Sequence, residues 1–351
     1  DVIVLVVWGL LPSGPSGAPA TRVGVGMLPA WRAPCLWIAR RPLGCVVGAI
    51  DGSIDGEEFD HNDVFDPSTD DGFLSEDEGP LSPKDPMCSE TVTVGLDDGP
   101  AVVVSRPTND AVLEELMGTF MAEAMRTPDR FDEVMAERLQ GAIKDRPRTW
   151  YWSLVWPSAV ALARCFARGD GVASLVQGKR VLDLGCGLGV AGIAACALAD
   201  SEHVTLAEAD ANALVFADFN ARANGVGGRT RCVQLDWTTG LDEGLEGDFD
   251  VVLLSDVLYD DGAITHVAKV AAAALAPIAD GCIPTVVVAD QADRPYDHQQ
   301  RLAQLLEALG ENMDGRVHWE LASTASEHVS WGTGAGDEHD VSIVAHVVRS
   351  L

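Results

Sequence analysis

The chain has 351 residues, 22% of them charged and 47% hydrophobic, enough for one α/β domain of ordinary size plus an extension. Its formal net charge is −30, and no local basic patch relieves it. Such a surface repels phosphate backbones and anionic bilayers, so nucleic acid and membrane are set aside as partners.

Residues 2–11 are apolar, but a stretch of this length is too short to span a bilayer and lacks the charged lead-in of a secretory signal. Arg22, Arg32, Arg40 and Arg41 stand in an acid-free stretch that loosely resembles an organelle transit peptide; a poorly ordered leader is the plainer reading. Residues 51–90 then turn acidic and rich in Gly, Pro and Ser, with Lys84 as the basic exception. That composition buries too little apolar surface to offset ordering entropy, so residues 1–90 read as a disordered leader and acidic linker.

Order is expected from about Thr91. Residues 91–94 and 101–104 have strand composition around a turn at 97–100, and helical patterns follow at 110–126 and 129–144. Together they make an extension over 91–150. Residues 151–163, YWSLVWPSAVALA, crowd Tyr151, Trp152 and Trp156 ahead of Pro157, a residue suited to the first turn of a helix over 158–168. Trp150 reads as core, whereas Trp152 and Trp156 read equally as core or as pocket wall.

Residues 179–193, KRVLDLGCGLGVAGI, run from a short apolar strand through Gly185, Gly187 and Gly189 into an Ala-rich helix. Glycines let a ligand approach the backbone, and the free N–H groups of a first helical turn attract polar ligand groups. Two readings compete. Gly187-x-Gly189-x-x-Gly192, with Glu208 about 20 residues on, satisfies a dinucleotide fingerprint. Taking in Asp183 gives D-x-G-x-G-x-G, the form typical of S-adenosylmethionine (SAM) enzymes, in which the carboxylate suits an ammonium better than a phosphate.

Strand patterns recur at 203–208, 231–237, 249–257 and 285–290, separated by helical patterns at 211–224 and 262–276. A helix over 298–309 and two closing strands at 315–323 and 341–348 complete the chain. The alternation implies a parallel sheet with helices on both faces, whose ligands sit beyond the carboxyl ends of the strands. Asp183, Glu208, Asp236 and Asp256 then converge on one rim. Glu208 suits two ribose hydroxyls in either nucleotide reading, and Asp236, with Trp237 beside it, suits an adenine amino group. Asp256 and Tyr259 place a carboxylate and a phenol at the pocket mouth, where they can orient an amine. The absence of prolines beside Asp256 argues against a flipped base as substrate. Asp290 and Arg294 could also line the rim, though a surface pair is the better reading there. Eight cysteines without a C-x-x-C pair, and eight histidines without ligand spacing, suggest neither a metal nor a disulfide framework. They point to an intracellular chain, cytoplasmic or mitochondrial.

With these residues assembled, residues 151–351 resemble the seven-β-strand, class I SAM-dependent methyltransferases, and within them the protein lysine methyltransferase group called methyltransferase family 16. The carrying features are YWSLVWPSAVALA, the glycine loop, VTLAEAD, LDW, and FDVVLLSDVLYD with Asp256 and Tyr259 as D-x-x-Y. Trp156-Pro157 and VVVADQADRP look most like the electron transfer flavoprotein β-subunit lysine methyltransferases. The resemblance implies a Rossmann-like, seven-stranded, mostly parallel sheet, SAM as cofactor and a lysine ε-amine of a protein as acceptor. It also implies roles: Gly185, Gly187 and Gly189 under the cofactor, Asp183 at its ammonium, Glu208 on the ribose, Asp236 and Trp237 on the adenine, Trp156 beside the methionine. Asp256 and Tyr259 would be the catalytic pair. A small-molecule or protein-arginine methyltransferase, or an NAD-dependent oxidoreductase, remains the alternative.

Overall fold

The computed structural model describes residues 4–6, 25–27, 83–84 and 89–350, except 97–98, 145–147, 242, 279–282, 293, 295–296, 314–316 and 331–337. The expected leader and linker lie mostly outside the described residues. Within that stretch, β1 (Val4–Val6) pairs antiparallel with β2 (Val25–Met27). Residues 1–70 form one unit and 71–351 another.

The second unit begins with a hairpin, β3 (Ser89–Gly95) and β4 (Ala101–Pro107), as the two Val-rich runs imply; residues 97–98 of its expected turn are outside the description. Helix α1 (Asn109–Ala124) starts where the Thr108 hydroxyl accepts from the Ala111 N–H, and α2 (Phe131–Lys144) follows. They pack on each other through Val112, Leu116, Phe120 and Met135. After α3 (Pro157–Arg168) comes a short helix the sequence pattern did not indicate, α4 (Gly171–Val176).

Then strands and helices alternate: β5 (Arg180–Leu184), α5 (Val190–Leu198), β6 (His203–Glu208), α6 (Ala211–Ala223), β7 (Thr230–Gln234), β8 (Val251–Ser255), α7 (Asp261–Ala274), β9 (Thr285–Gln291) and α8 (His298–Asn312). β10 (Val317–Ser330) and β11 (Glu338–Ser350) close the sheet as a long antiparallel hairpin, longer than the expected runs. The order is β10-β11-β9-β8-β5-β6-β7. Pairs among β5 to β9 are parallel, while β11 runs antiparallel to β9, so the seven-stranded, mostly parallel sheet is as the sequence implied.

Side chains alternate across the sheet, so successive residues of one strand feed two cores. Val181 packs toward α3, α5 and α6, and Leu182 toward α7 and α8. Leu182, Ile193, Leu206 and Leu253 have no exposed surface, each worth about 1.5–3 kcal/mol of burial. Asp183 shares the Val181 face and points at α5 rather than to solvent. The chain goes from β5 outward to β6 and β7, then returns to β8 on the other side of β5. That reversal opens a crevice at the carboxyl ends of the strands, where open α/β sheets take ligands.

Candidate functional site

A cavity of about 420 Å³ lies in this crevice, a size within the usual range for small-molecule sites. Its floor is the loop after β5. Gly185 has φ +74°, and a Cβ there would stand 2.9 Å from the Trp237 ring and 3.0 Å from Val257. Gly187, φ +53°, runs beside the backbone of Trp152, whose carbonyl oxygen a Cβ would meet at 3.3 Å. The loop is tied down because the Gly185 and Cys186 N–H groups both donate to the Ala207 carbonyl. Gly189 differs in its surroundings. It precedes α5 between Leu188 and Val190, which both line the cavity, and a Cβ on it would meet Ile193, Leu206 and Ala217 at 3.1–3.3 Å. Its role is to let α5 press on β6.

Asp183 lines the cavity and is buried. Its Oδ2 accepts from the Gly192 N–H at 2.8 Å, bracing the first turn of α5, while Oδ1 is a buried acceptor without a partner. Burial pushes its carboxyl up to about 7, against the pull of the Gly192 N–H. Glu208 ends β6, and its Oε2 accepts from the Gly187 N–H at 3.0 Å and its Oε1 from the Ala209 N–H at 2.8 Å. It is pushed up by burial as well. Both carboxylates therefore shape the loop besides facing the cavity.

Asp236 and Trp237 line the same cavity, but they lie past the end of β7 rather than within the expected strand. The cause is local: Asp236 Oδ1 accepts from the Thr238 N–H and hydroxyl, a side-chain turn that ends the ladder. Those bonds hold the exposed carboxyl below its usual range. Trp237 lies against Gly185.

The opposite wall is aromatic. The Trp156 indole N–H donates to the Tyr151 carbonyl at 2.9 Å, and the Tyr151 ring meets Trp156 and Tyr259 edge-on at 5.4 and 5.8 Å. Trp152 serves both readings made for it, since it is buried in the core and lines the cavity. Trp150 packs partly buried against Trp152, their rings 5.7 Å apart.

Asp256 lines the cavity but is buried and fully engaged. It follows β8 with φ +55°, strained for a residue with a Cβ, and such strain persists only where the surroundings fix it. Here they do: Oδ2 accepts from the Ser158 N–H at 3.1 Å, capping the first turn of α3 from a distant strand. Oδ1 accepts from Gln291 Nε2 and from Arg294 Nη2, each at 3.1 Å. Asp290 and Arg294 are not a surface pair, because Asp290 is 3% exposed and the Arg294 guanidinium pairs with Asp256 while lying 5.2 Å over the Trp156 ring. Gln291 and the partnering of Arg294 escaped the sequence reading. Nothing local to the TVVVADQ run of β9 tells that its carboxyl end reaches that of β8.

None of the residues lining the cavity is Lys or Arg, and five are acidic. Such a field suits a cationic ligand and opposes a pyrophosphate. For metals, among the described residues Cys165, Asp170 and Glu327 bring ligand-type atoms within 4.8 Å of one another. Arg168 already bonds to Glu327 and Asp170, so this group is an ion-pair cluster.

The sequence pattern of the lysine methyltransferase family matches residues 143–295, which contain every lining residue above. The electron transfer flavoprotein β-subunit lysine methyltransferase of Danio rerio is 32% identical over 123 residues, 33% of this chain and 44% of that protein. The protein N-lysine methyltransferase METTL21A of the same species is 35% identical over 119 residues, 33% of this chain and 52% of that protein. The chain thus spans about half the length of the curated relatives it matches.

Proposed function

We propose that this chain is a class I SAM-dependent methyltransferase acting on a lysine ε-amine of a protein, as the match of residues 143–295 to the lysine methyltransferase family supports. The observation that carries the reading is Asp183: a buried carboxylate oxygen without a partner, in a cavity of acids and aromatic rings, calls for a cationic amino-acid ligand. SAM has such an ammonium, a ribose and an adenine, and the strand ends offer an acid for each.

Bound there, SAM supplies a methyl group already activated on a positive sulfur. The chain's residues supply position. Asp183 would hold the ammonium on Oδ1, Glu208 the ribose hydroxyls on the lone pairs its loop bonds leave, and Asp236 and Trp237 the adenine. Gly185 and Gly187 line the cavity with backbone alone, beneath where the cofactor would lie, and Trp156 and Tyr151 wall the methionine end and exclude water. Asp256 and Tyr259 orient the acceptor amine; holding it in line is most of what a transfer of this kind needs. The amine gives up its proton toward solvent or the Asp256 carboxylate. No covalent intermediate with the chain is called for.

Protein as acceptor is favoured by the family and by the named activities of the two relatives, one directed at the electron transfer flavoprotein β subunit. No described helix is long and apolar enough to cross a membrane. The free thiols Cys165, Cys186, Cys196 and Cys232 favour a reducing compartment, cytoplasm or mitochondrion. A leader over residues 1–90, with an extension at 91–150 ahead of the catalytic domain, remains part of the proposal.

The test is calorimetry of the full chain against S-adenosylhomocysteine and, separately, NAD, followed by transfer from radiolabelled SAM to purified electron transfer flavoprotein. Homocysteine-product binding that Glu208→Ala abolishes is expected, with label on a lysine. Asp256→Ala and Tyr259→Phe should each cut transfer about tenfold or more while binding persists. Binding of NAD alone, or label on arginine, would overturn it.

A further inference from the structure

Asp256 and Trp156 both line the cavity, and Arg294, outside the lining, bridges these two. Its guanidinium makes an ion pair with the Asp256 carboxylate and lies over the face of Trp156. Those two contacts, a carboxylate and an aromatic face, are what a long aliphatic cation needs in order to dock. We infer that Arg294 occupies the acceptor subsite as a resident stand-in for the substrate cation, and that the incoming lysine side chain must displace it. The inference rests on the methyltransferase reading and adds a specificity-determining residue to it.

Three features make the contact exchangeable rather than a fixed brace. Only one guanidinium nitrogen, Nη2, bonds to Asp256, so the stronger two-point geometry is not used. Arg294 Nε is buried with no partner, so the docked side chain bears the cost of an unsatisfied donor. Its side chain retains 18% exposure against 3% for that of Asp256, leaving it a way out to solvent. Asp256, in contrast, stays put when Arg294 leaves, because the Ser158 N–H and the Gln291 amide still hold both its oxygens. The subsite therefore has two states, filled by Arg294 or by the acceptor, with one geometry for the carboxylate. A cation that binds Asp256 must outcompete an intramolecular one, so weak or short acceptors are rejected.

The experiment is a titration of the full chain with n-butylammonium, the end of a lysine side chain, followed by ligand-detected NMR for affinity and by protein-observed NMR for the arginine Nε–H resonances. It is run with and without S-adenosylhomocysteine, so a chain that fails to bind the cofactor product still answers. Arg294→Met, which keeps the packing on Trp156 and removes the charge, should bind the cation at least tenfold more tightly than the natural chain. Arg294→Lys should bind it about as weakly as the natural chain. In the natural chain, the protected Arg294 Nε–H resonance, assigned by its loss in Arg294→Lys, should shift or broaden as n-butylammonium saturates, which keeps the question answerable if Arg294→Met does not fold. Unchanged or weaker cation binding in folded Arg294→Met, or a resonance that saturating cation leaves untouched, would show Arg294 to be a fixed clamp on Asp256 and overturn the inference.

Discussion

Burial holds the Asp183 carboxyl toward its neutral form, and its behaviour with pH follows from that. A carboxyl near 7 in the fold and about 4 in the unfolded chain binds its proton more tightly when folded. The stability it contributes is fully present below about pH 4 and is lost as pH rises through about 7. A ligand ammonium at Oδ1 reverses the preference by pairing with the ionised form. At pH 6 only about a tenth of the Asp183 groups are ionised, so the affinity for S-adenosylhomocysteine should rise several-fold between pH 6 and pH 8. Calorimetry across that range should show the rise in the natural chain and a nearly flat profile in Asp183→Asn. The place of this residue, and of Glu208 at the same cavity, could be read from position alone, because strand-end acids in a parallel sheet have one rim to face. The partner of Arg294 could not: a single cation after a strand reads as rim or surface alike until β8 and β9 are paired and Asp256 is found beneath it.

Among the elements, α6 does more than cover the sheet. Asn220 and Asn224, one turn apart, present their amides as a surrogate strand edge to β4. The Asn220 amide receives the Ser105 N–H at 2.7 Å and donates to the Ser105 carbonyl at 3.0 Å, and the Asn224 amide does the same for Val103 at 2.8 and 2.7 Å. Asn220 also donates to the Leu188 carbonyl in the glycine loop at 3.1 Å, so one buried side chain joins the hairpin extension to the cavity floor. In Asn220→Ala the two Ser105 groups and the Leu188 carbonyl lose their partner together. Each buried orphan costs about 1–3 kcal/mol, so denaturant unfolding should show a loss of about 3 kcal/mol or more. Hydrogen exchange at the Ser105 amide should accelerate with it. The helix itself was plain from its spacing and from Gly225 behind it. Its asparagines gave no hint, since their partners lie 115 and 121 residues away in the chain.

At the scale of the molecule, a formal charge of −30 works against compactness and toward cationic partners. Raising salt from about 10 to 150 mM shortens the screening length from about 30 to 8 Å, and the melting temperature should rise as like charges cease to repel. The rate of association with a lysine-rich acceptor should fall over the same range. Scanning calorimetry and stopped-flow mixing would read the two effects, whose opposite signs mark them as electrostatic. By itself the sequence determined the alternation of strands and helices, the parallel sheet, the glycine loop and the acids on one rim. These depend on local periodicity and on a topology that leaves little choice of face. Only the tertiary structure decided that Gly189 serves packing, that Asp236 turns the chain after β7, and that Arg294 sits on Asp256. Those outcomes depend on which side chain meets which across the crevice, and contacts between residues so distant in sequence leave no period to read.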